Sequence, residues 1–272
     1  MREKLEQLKD YLAKKERLAI GFSGGVDSAF LLKTAHEVLG ENVTAITVKV
    51  RSLPMRELDA AREFCRKEGI SHVIVEVDEL TIEGFAENPP DRCYICKKSL
   101  FGQICAEAKR LGMPYVAEAS NLDDNGDYRP GLRAVDELGV LSPLREIGID
   151  KKTIRVLAKE LGIPVWDKPS FACLATRFVY GEQITAEKLA MVDEAEQFLC
   201  ELGFRQVRVR MHGNEAARVL ARIELGADDF PKILSQELCQ RIQEKLKNIG
   251  FAYVTLDLGG YRMGSMNDGI EK

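Results

Sequence analysis

Leu5, Leu8, Tyr11 and Leu12 recur at the three- and four-residue spacing of a helix and predict an amphipathic lead-in over residues 5–14. The apolar run Leu18-Ala19-Ile20-Gly21-Phe22 shows no alternation and reads as a strand buried on both faces. A helix through Leu39 stops at Gly40, residues 43–50 form a second strand, 55–68 a helix closed by Gly69, and 72–77 a third strand. A loop ends in Pro89-Pro90, a helix follows to about Leu111, and Gly112 stops it. Residues 115–119 predict a fourth strand, 120–131 a polar, turn-rich loop, and 140–144 a fifth strand; Asp150 caps a helix over 151–161 that ends at Gly162 and Pro164. Strands alternating with helices predict an α/β fold, a doubly wound parallel sheet. From Thr185 the order changes to helix, strand (206–212), strand (217–224), helix (235–248) and strand (253–258), a small α+β domain. The expected domains are 1–178 and 179–272, with the residues after Met263 loosely held.

The chain has 272 residues, 45% of them hydrophobic, enough for a substantial core. No apolar run approaches the roughly 18–20 residues of a membrane span, and the charged start at Met1 to Lys9 is unlike a signal peptide, so the expected location is the cytoplasm, with no membrane partner. A net charge of −4 argues against a nucleic-acid partner, because affinity for a long polyanion comes mostly from clustered Lys and Arg. Seven cysteines are an odd number for a disulfide framework, which raises the weight of metal, redox or catalytic roles.

The first strand runs into Ser23-Gly24-Gly25-Val26-Asp27-Ser28 and then a helix. Two glycines able to take positive φ, two hydroxyls and the positive end of a helix dipole make an anion cradle, with phosphate the natural occupant. The loop is neither the G-x-x-x-x-G-K-[ST] nor the G-x-G-x-x-G type. It resembles that of the ATP pyrophosphatases, whose S-G-G-x-D-S loop holds the pyrophosphate of ATP. Asp27, Glu118 and Asp123 are candidate magnesium ligands, and the backbone near Thr47 and Val48 a candidate adenine seat.

Cys93 and Cys96 form a C-x-x-C pair, and Cys173 lies in an aperiodic stretch, 166–177, between Lys168 and Arg177. A structural zinc would want four ligands and a thioredoxin-type pair a different strand, whereas three thiolates suit a [4Fe–4S] cluster with one iron left open. Arg177 and Lys168 are placed to lower the thiol pKa of Cys173 or to balance charge. Cys65, Cys105, Cys200 and Cys239 fall in helical patterns and read as buried, inert thiols. Arg208, Arg210 and His212 alternate on one strand face, either a solvated edge or an anion site; Glu224, Asp257 and Trp166 allow both surface and ligand-positioning readings.

Taken together, Ser23 to Ser28, the run from Asp91 to Lys97, Gly126-Asp127-Tyr128-Arg129-Pro130-Gly131 and Cys173-Leu174-Ala175-Thr176-Arg177 closely resemble the LarE family over nearly the whole chain. These ATP-dependent sulfurtransferases mature the nickel-pincer cofactor of lactate racemase. The resemblance implies that ATP and Mg²⁺ adenylate a carboxylate of pyridinium-3,5-biscarboxylic acid mononucleotide, with release of pyrophosphate, and that a thiocarboxylate forms. It implies Ser23, Gly24, Gly25, Asp27, Ser28 and Arg129 at the nucleotide, Cys173 as the catalytic residue, and Arg177, Arg208, Arg210 and His212 at the substrate and its ribose phosphate. In one branch of the family the cysteine of the C-L-A-[ST]-R motif gives up its own sulfur. In the other it joins the C-x-x-C pair in holding a [4Fe–4S] cluster that carries an extra sulfide. Having all three cysteines, this chain is expected in the second branch, with a sulfide source and a homo-oligomeric assembly. A tRNA thiolase of the same superfamily is the nearest rival.

Overall fold

The computed structural model describes residues 1–126, 130–169, 172–213 and 218–269. The chain forms two compact units, Met1–Asp78 with Cys93–Phe171, and Glu79–Arg92 with Ala172–Lys272.

In the first unit, α1 (Arg2–Ala13) leads to β1 (Leu18–Gly21), α2 (Val26–Leu39), β2 (Val43–Lys49), α3 (Met55–Glu68), β3 (Ser71–Glu76), α4 (Arg92–Arg110) and β4 (Tyr115–Ala117). Next come α5 (Pro130–Glu137), α6 (Pro143–Glu146) and α7 (Lys151–Glu160). The four strands pair in parallel in the order β3-β2-β1-β4. Alternation along β1 feeds two cores: Leu18 and Ile20 pack among α1, α2, α3 and α7, while Ala19 packs with Ile104 and Ala108 of α4. Both faces are covered, as an apolar parallel sheet requires. The chain leaves β1 for β2 on one side and pairs β4 on the other, so strand order reverses beside the carboxyl end of β1, where such sheets bind ligands.

Two sequence expectations fail here for local reasons. Residues 140–144 contribute a single bridge, Ala117 to Leu141, because Pro143 has no N–H for a ladder and opens α6 instead. Pro130-Gly131, expected as a turn, opens α5; proline suits a first helical position, and a Cβ on Gly131 would stand 2.7 Å from Lys97 Cδ and 3.3 Å from the Cys93 carbonyl oxygen. Glycine therefore lets α5 approach the first turn of α4.

The second unit contains α8 (Ala186–Glu201), β5 (Val207–His212), β6 (Leu220–Leu225), α9 (Gln236–Ile249) and β7 (Tyr253–Leu256). The sheet order is β5-β6-β7, antiparallel then parallel. Segment 79–92, which precedes the second half of the first unit in sequence, joins this unit: the Gly181 and Ile184 amides donate to the Asn88 and Ala86 carbonyls at 2.9 and 2.8 Å. The tail expected to be loose turns over Ser265–Gly269, and Ser265 Oγ donates to Glu224 at 2.7 Å. Among the described residues no helix is long and apolar enough to cross a membrane.

Candidate functional site

The loop from β1 to α2 presents Ser23, Gly24 and Gly25, and the first turn of α2 presents Asp27 and Ser28. Gly24 has φ +75°, with an added Cβ 3.4 Å from the Glu57 carbonyl oxygen and Ala61 Cβ of α3. Gly25 takes ordinary extended backbone as the N-cap, so one glycine rather than two needs the left-handed region. Among the described residues no side chain caps α2, and the N–H groups of its first turn have no intrahelical partners. The Ser23 and Ser28 hydroxyls lie 3.1 Å apart.

Asp27 Oδ2 accepts from Lys151 Nζ, while Asp27 Oδ1 is buried and has no hydrogen-bond partner among the described residues. Burial raises the Asp27 pKa and the Asp124 carboxylate adds to it, against the opposing charges of Lys151 and Arg155. The other two candidate magnesium ligands have internal partners. Glu118 accepts from the Ser120 amide at 3.0 Å, the Ser120 hydroxyl at 2.6 Å and the Ser142 hydroxyl at 2.7 Å; Asp123 accepts from the Lys151 amide at 2.9 Å. Mg²⁺ commonly uses one or two carboxylates together with water and substrate phosphate, so an orphaned Asp27 oxygen beside a phosphate cradle fits it. At the end of β2, Thr47 Oγ1 donates to the Phe22 carbonyl at 2.7 Å and accepts from His72 Nε2 at 2.8 Å, which braces the expected adenine seat.

Cys93 and Cys96 sit three residues apart in the first turn of α4, both half-buried. Lys168, expected to act on the cysteine chemistry, pairs with Glu57 at 2.6 Å in the same unit as the phosphate loop. Trp166 packs at the edge of the core with Lys159 Nζ 4.4 Å from its ring centroid. Arg129 lies outside the described residues.

Cys173, in the second unit, is exposed at the head of a 3-10 turn, Leu174–Arg177. Its carbonyl accepts from the Thr176 amide at 3.0 Å, the Thr176 hydroxyl at 2.8 Å and Arg177 Nη1 at 3.3 Å. Arg177 is 0% exposed; it also donates to the Ala172 carbonyl at 3.0 Å and forks onto Glu196 of α8 at 2.8 and 3.0 Å. The guanidinium thus holds the backbone that presents the thiol. Among the described residues no three His, Cys, Asp or Glu side chains gather for a metal ion. The remaining thiols are all helical, as expected, but Cys65 alone of the four is buried, with its pKa pushed up to about 12; Cys200 and Cys239 are exposed. Cys239 borders a cavity of about 530 Å³ between α9 and β6–β7 that holds none of the sequence-predicted site residues.

The solvated-edge reading of Arg208, Arg210 and His212 fails, because Arg208 and Arg210 are only 6% and 5% exposed. Arg210 donates to Glu224 at 3.0 and 2.8 Å and to the Thr176 carbonyl at 3.1 Å, which ties β5 to the Cys173 turn. Arg208 donates to the Val207 carbonyl at 2.7 Å and lies 5.2 Å from the Tyr261 ring centroid. His212 Nε2 accepts from Arg222 Nε at 3.0 Å; burial first and the Arg222 charge second lower its pKa and keep it neutral.

Glu196, Glu57 and Lys151 escaped the sequence reading. For Lys151 a signal existed: Lys151-Lys152 at the head of α7 opposes the helix dipole and calls for a reason.

The family model described as "Queuosine biosynthesis protein QueC" matches residues 17–87, from β1 past the phosphate loop to beyond β3. An uncharacterized Synechocystis sp. protein, slr1717, is 42% identical over 100% of both chains. The pyridinium-3,5-bisthiocarboxylic acid mononucleotide synthase of Lactiplantibacillus plantarum is 37% identical over 94% of this chain and 91% of its own. A glutamine-hydrolyzing GMP synthase polypeptide of Thermoplasma volcanium is 27% identical over 72% of this chain and 69% of its own.

Proposed function

Because the chain belongs to the pyridinium-3,5-bisthiocarboxylic acid mononucleotide synthase family, the LarE family of ATP-dependent sulfurtransferases, we propose that it converts a carboxylate of pyridinium-3,5-biscarboxylic acid mononucleotide to a thiocarboxylate at the expense of ATP. The observation that carries the ATP half of this reading is the glycine loop at the head of α2 with the orphaned Asp27 oxygen beside it.

A free carboxylate resists nucleophiles because oxide is a poor leaving group. Its oxygen first attacks the α-phosphorus of ATP, the bond to the β-phosphate oxygen breaks, and pyrophosphate leaves. The loop amides, Ser23, Ser28 and the α2 dipole stabilise the departing charge. Asp27 would hold Mg²⁺, which neutralises phosphate oxygens. A sulfur nucleophile then attacks the acyl carbon and AMP leaves. We assign that sulfur to Cys173, the exposed thiol presented by Arg177. Its thiolate forms a thioester; loss of the Cα proton and cleavage of the Cβ–S bond then release the thiocarboxylate and leave dehydroalanine.

Cys93 and Cys96 supply two thiols in one unit and Cys173 a third in the other. Brought together, the three would hold a [4Fe–4S] cluster, the alternative carrier of the sulfur. Iron analysis of protein purified without oxygen tests the point: iron and labile sulfide present in the wild type and lost in both Cys93→Ala and Cys173→Ala would assign a three-cysteine cluster. An iron-free protein leaving dehydroalanine at Cys173 after turnover is the expected result if the protein consumes its own sulfur.

The proposed activity is tested by following pyrophosphate with ATP, Mg²⁺ and the pyridinium mononucleotide. Release must require the mononucleotide, and Asp27→Asn should lower it on the order of a hundredfold or more, because the carboxylate facing the metal is lost. Equal release with and without the mononucleotide would sink the substrate assignment.

A further inference from the structure

Arg92, the residue before Cys93, is the first of α4 and is only 3% exposed. A cation in the first turn of a helix opposes the dipole, and a buried guanidinium gives up its hydration, so helix stability does not account for the position. Its partners do. Arg92 Nη1 donates to the Asn88 side-chain oxygen and, at 3.0 Å, to the Ala175 carbonyl, and the guanidinium carbon lies 5.7 Å from the Tyr180 ring centroid. Asn88 is fully buried and holds φ +55°, a left-handed conformation that asparagine enters more readily than most residues. Its side chain donates to the Val179 carbonyl at 2.6 Å, and its own carbonyl accepts from the Gly181 amide at 2.9 Å. Asn88 is thereby fixed, and it aims the arginine.

Ala175 stands two residues beyond Cys173 and is 0% exposed. The turn is gripped on both sides of its exposed thiol: Arg177 holds the carbonyls of Ala172 and Cys173, and Arg92 holds that of Ala175. Arg177 belongs to the turn itself, whereas Arg92 comes from segment 79–92 of the same unit, 83 positions earlier in sequence. We propose that Arg92 is a positioning residue for sulfur transfer: through the Ala175 carbonyl it sets how the turn aims the Cys173 sulfur. The inference rests on the assignment of the nucleophilic sulfur to Cys173. Attack on an acyl carbon tolerates little misplacement, a shift of about 1 Å being enough to cost on the order of a hundredfold in rate. Arginine suits the task because its planar fork meets two acceptors in a fixed geometry, which a lysine ammonium does not.

The test compares the full chain as wild type, Arg92→Met and Arg92→Lys, each given ATP, Mg²⁺ and the pyridinium mononucleotide. Pyrophosphate and thiocarboxylate are followed through the first turnover, because a protein that spends its own sulfur completes the reaction once. Arg92→Met should release pyrophosphate within about twofold of the wild-type rate and form thiocarboxylate about ten- to a hundredfold more slowly. Arg92→Lys, which keeps the charge and can meet one of the two acceptors, should recover part of that loss. Should Arg92→Met fail to fold, the lysine variant carries the test alone, with thiocarboxylate slowed relative to pyrophosphate as the expected result. A wild-type ratio of the two rates in every variant that folds overturns the proposal. So does a parallel fall of both rates, which would make Arg92 a strut of the fold and nothing more. A wild type that releases pyrophosphate without thiocarboxylate, or a Cys173→Ala protein that still forms it, overturns the Cys173 assignment itself, an outcome separate from Arg92 variants that match an active wild type.

Discussion

Replacing Cys173 with alanine is expected to leave ATP-dependent pyrophosphate release running while thiocarboxylate formation falls below detection. On the proposed mechanism adenylation would draw on the loop, Asp27 and the α2 amides of the first unit, and none of these is altered by the substitution. What disappears is the proposed sulfur nucleophile, for which alanine has no substitute, so the loss should belong to one chemical step rather than to binding. The variant should fold normally, because the side chain is exposed and the turn is held through the carbonyl oxygen of residue 173, which alanine retains. Mass spectrometry of the pyridinium product alongside a pyrophosphate assay reads both halves. Thiocarboxylate from Cys173→Ala at a rate near wild type would remove Cys173 from the chemistry. Loss of both pyrophosphate and product would show that the residue matters before the acyl-adenylate exists.

The strand–glycine turn–helix unit around residues 23–28 was legible in sequence because its parts are contiguous: an apolar strand, a glycine turn and a helix start within a few residues. The parallel sheet was legible for the same reason, each strand being a short apolar run punctuated by glycine, as at Gly69 closing α3. Misreadings arose where one residue type serves two purposes. Pro130-Gly131 looks like a turn and is a helix start, since proline suits a first helical position and glycine a tight approach. The charged partnerships stayed out of sight because they join distant positions: Asp27 with Lys151, Glu57 with Lys168, Arg210 with Glu224. Alternation on β5 gave the correct face for Arg208 and Arg210 but said nothing of what would cover it. Such covering decides whether an arginine is a solvated charge or a buried strut.

Glu196→Ala should be the most destabilising single change among the residues around Cys173, costing about 3–5 kcal/mol, because it strands the fully buried Arg177 guanidinium. Glu196 Oε1 accepts from Arg177 Nε and the Val209 amide at 2.8 and 2.9 Å, and Oε2 from Arg177 Nη2 at 3.0 Å, so one carboxylate joins α8, β5 and the Cys173 turn. Burial by itself would raise the Glu196 pKa. The Arg177 charge and hydrogen bonds, with the Arg208 charge and the Val209 amide, outweigh it and hold the carboxyl below its ordinary range. A depressed folded pKa contributes stability that is present above the unfolded carboxylate value, about 4.3, and is lost as pH falls through the folded value. Wild type should therefore lose stability on acidification below about pH 4 more steeply than Glu196→Gln, which cannot take up that proton. Denaturant unfolding of wild type, Glu196→Ala and Glu196→Gln across this range separates the two effects. A Glu196→Ala midpoint equal to wild type, or parallel acid slopes for wild type and Glu196→Gln, would show that the Arg177 pair is not what holds the Cys173 turn. If the pair does hold it, conditions that protonate Glu196 should also loosen the carbonyls of Ala172 and Cys173 that Arg177 grips, and amide exchange at Thr176 should quicken with the same pH dependence.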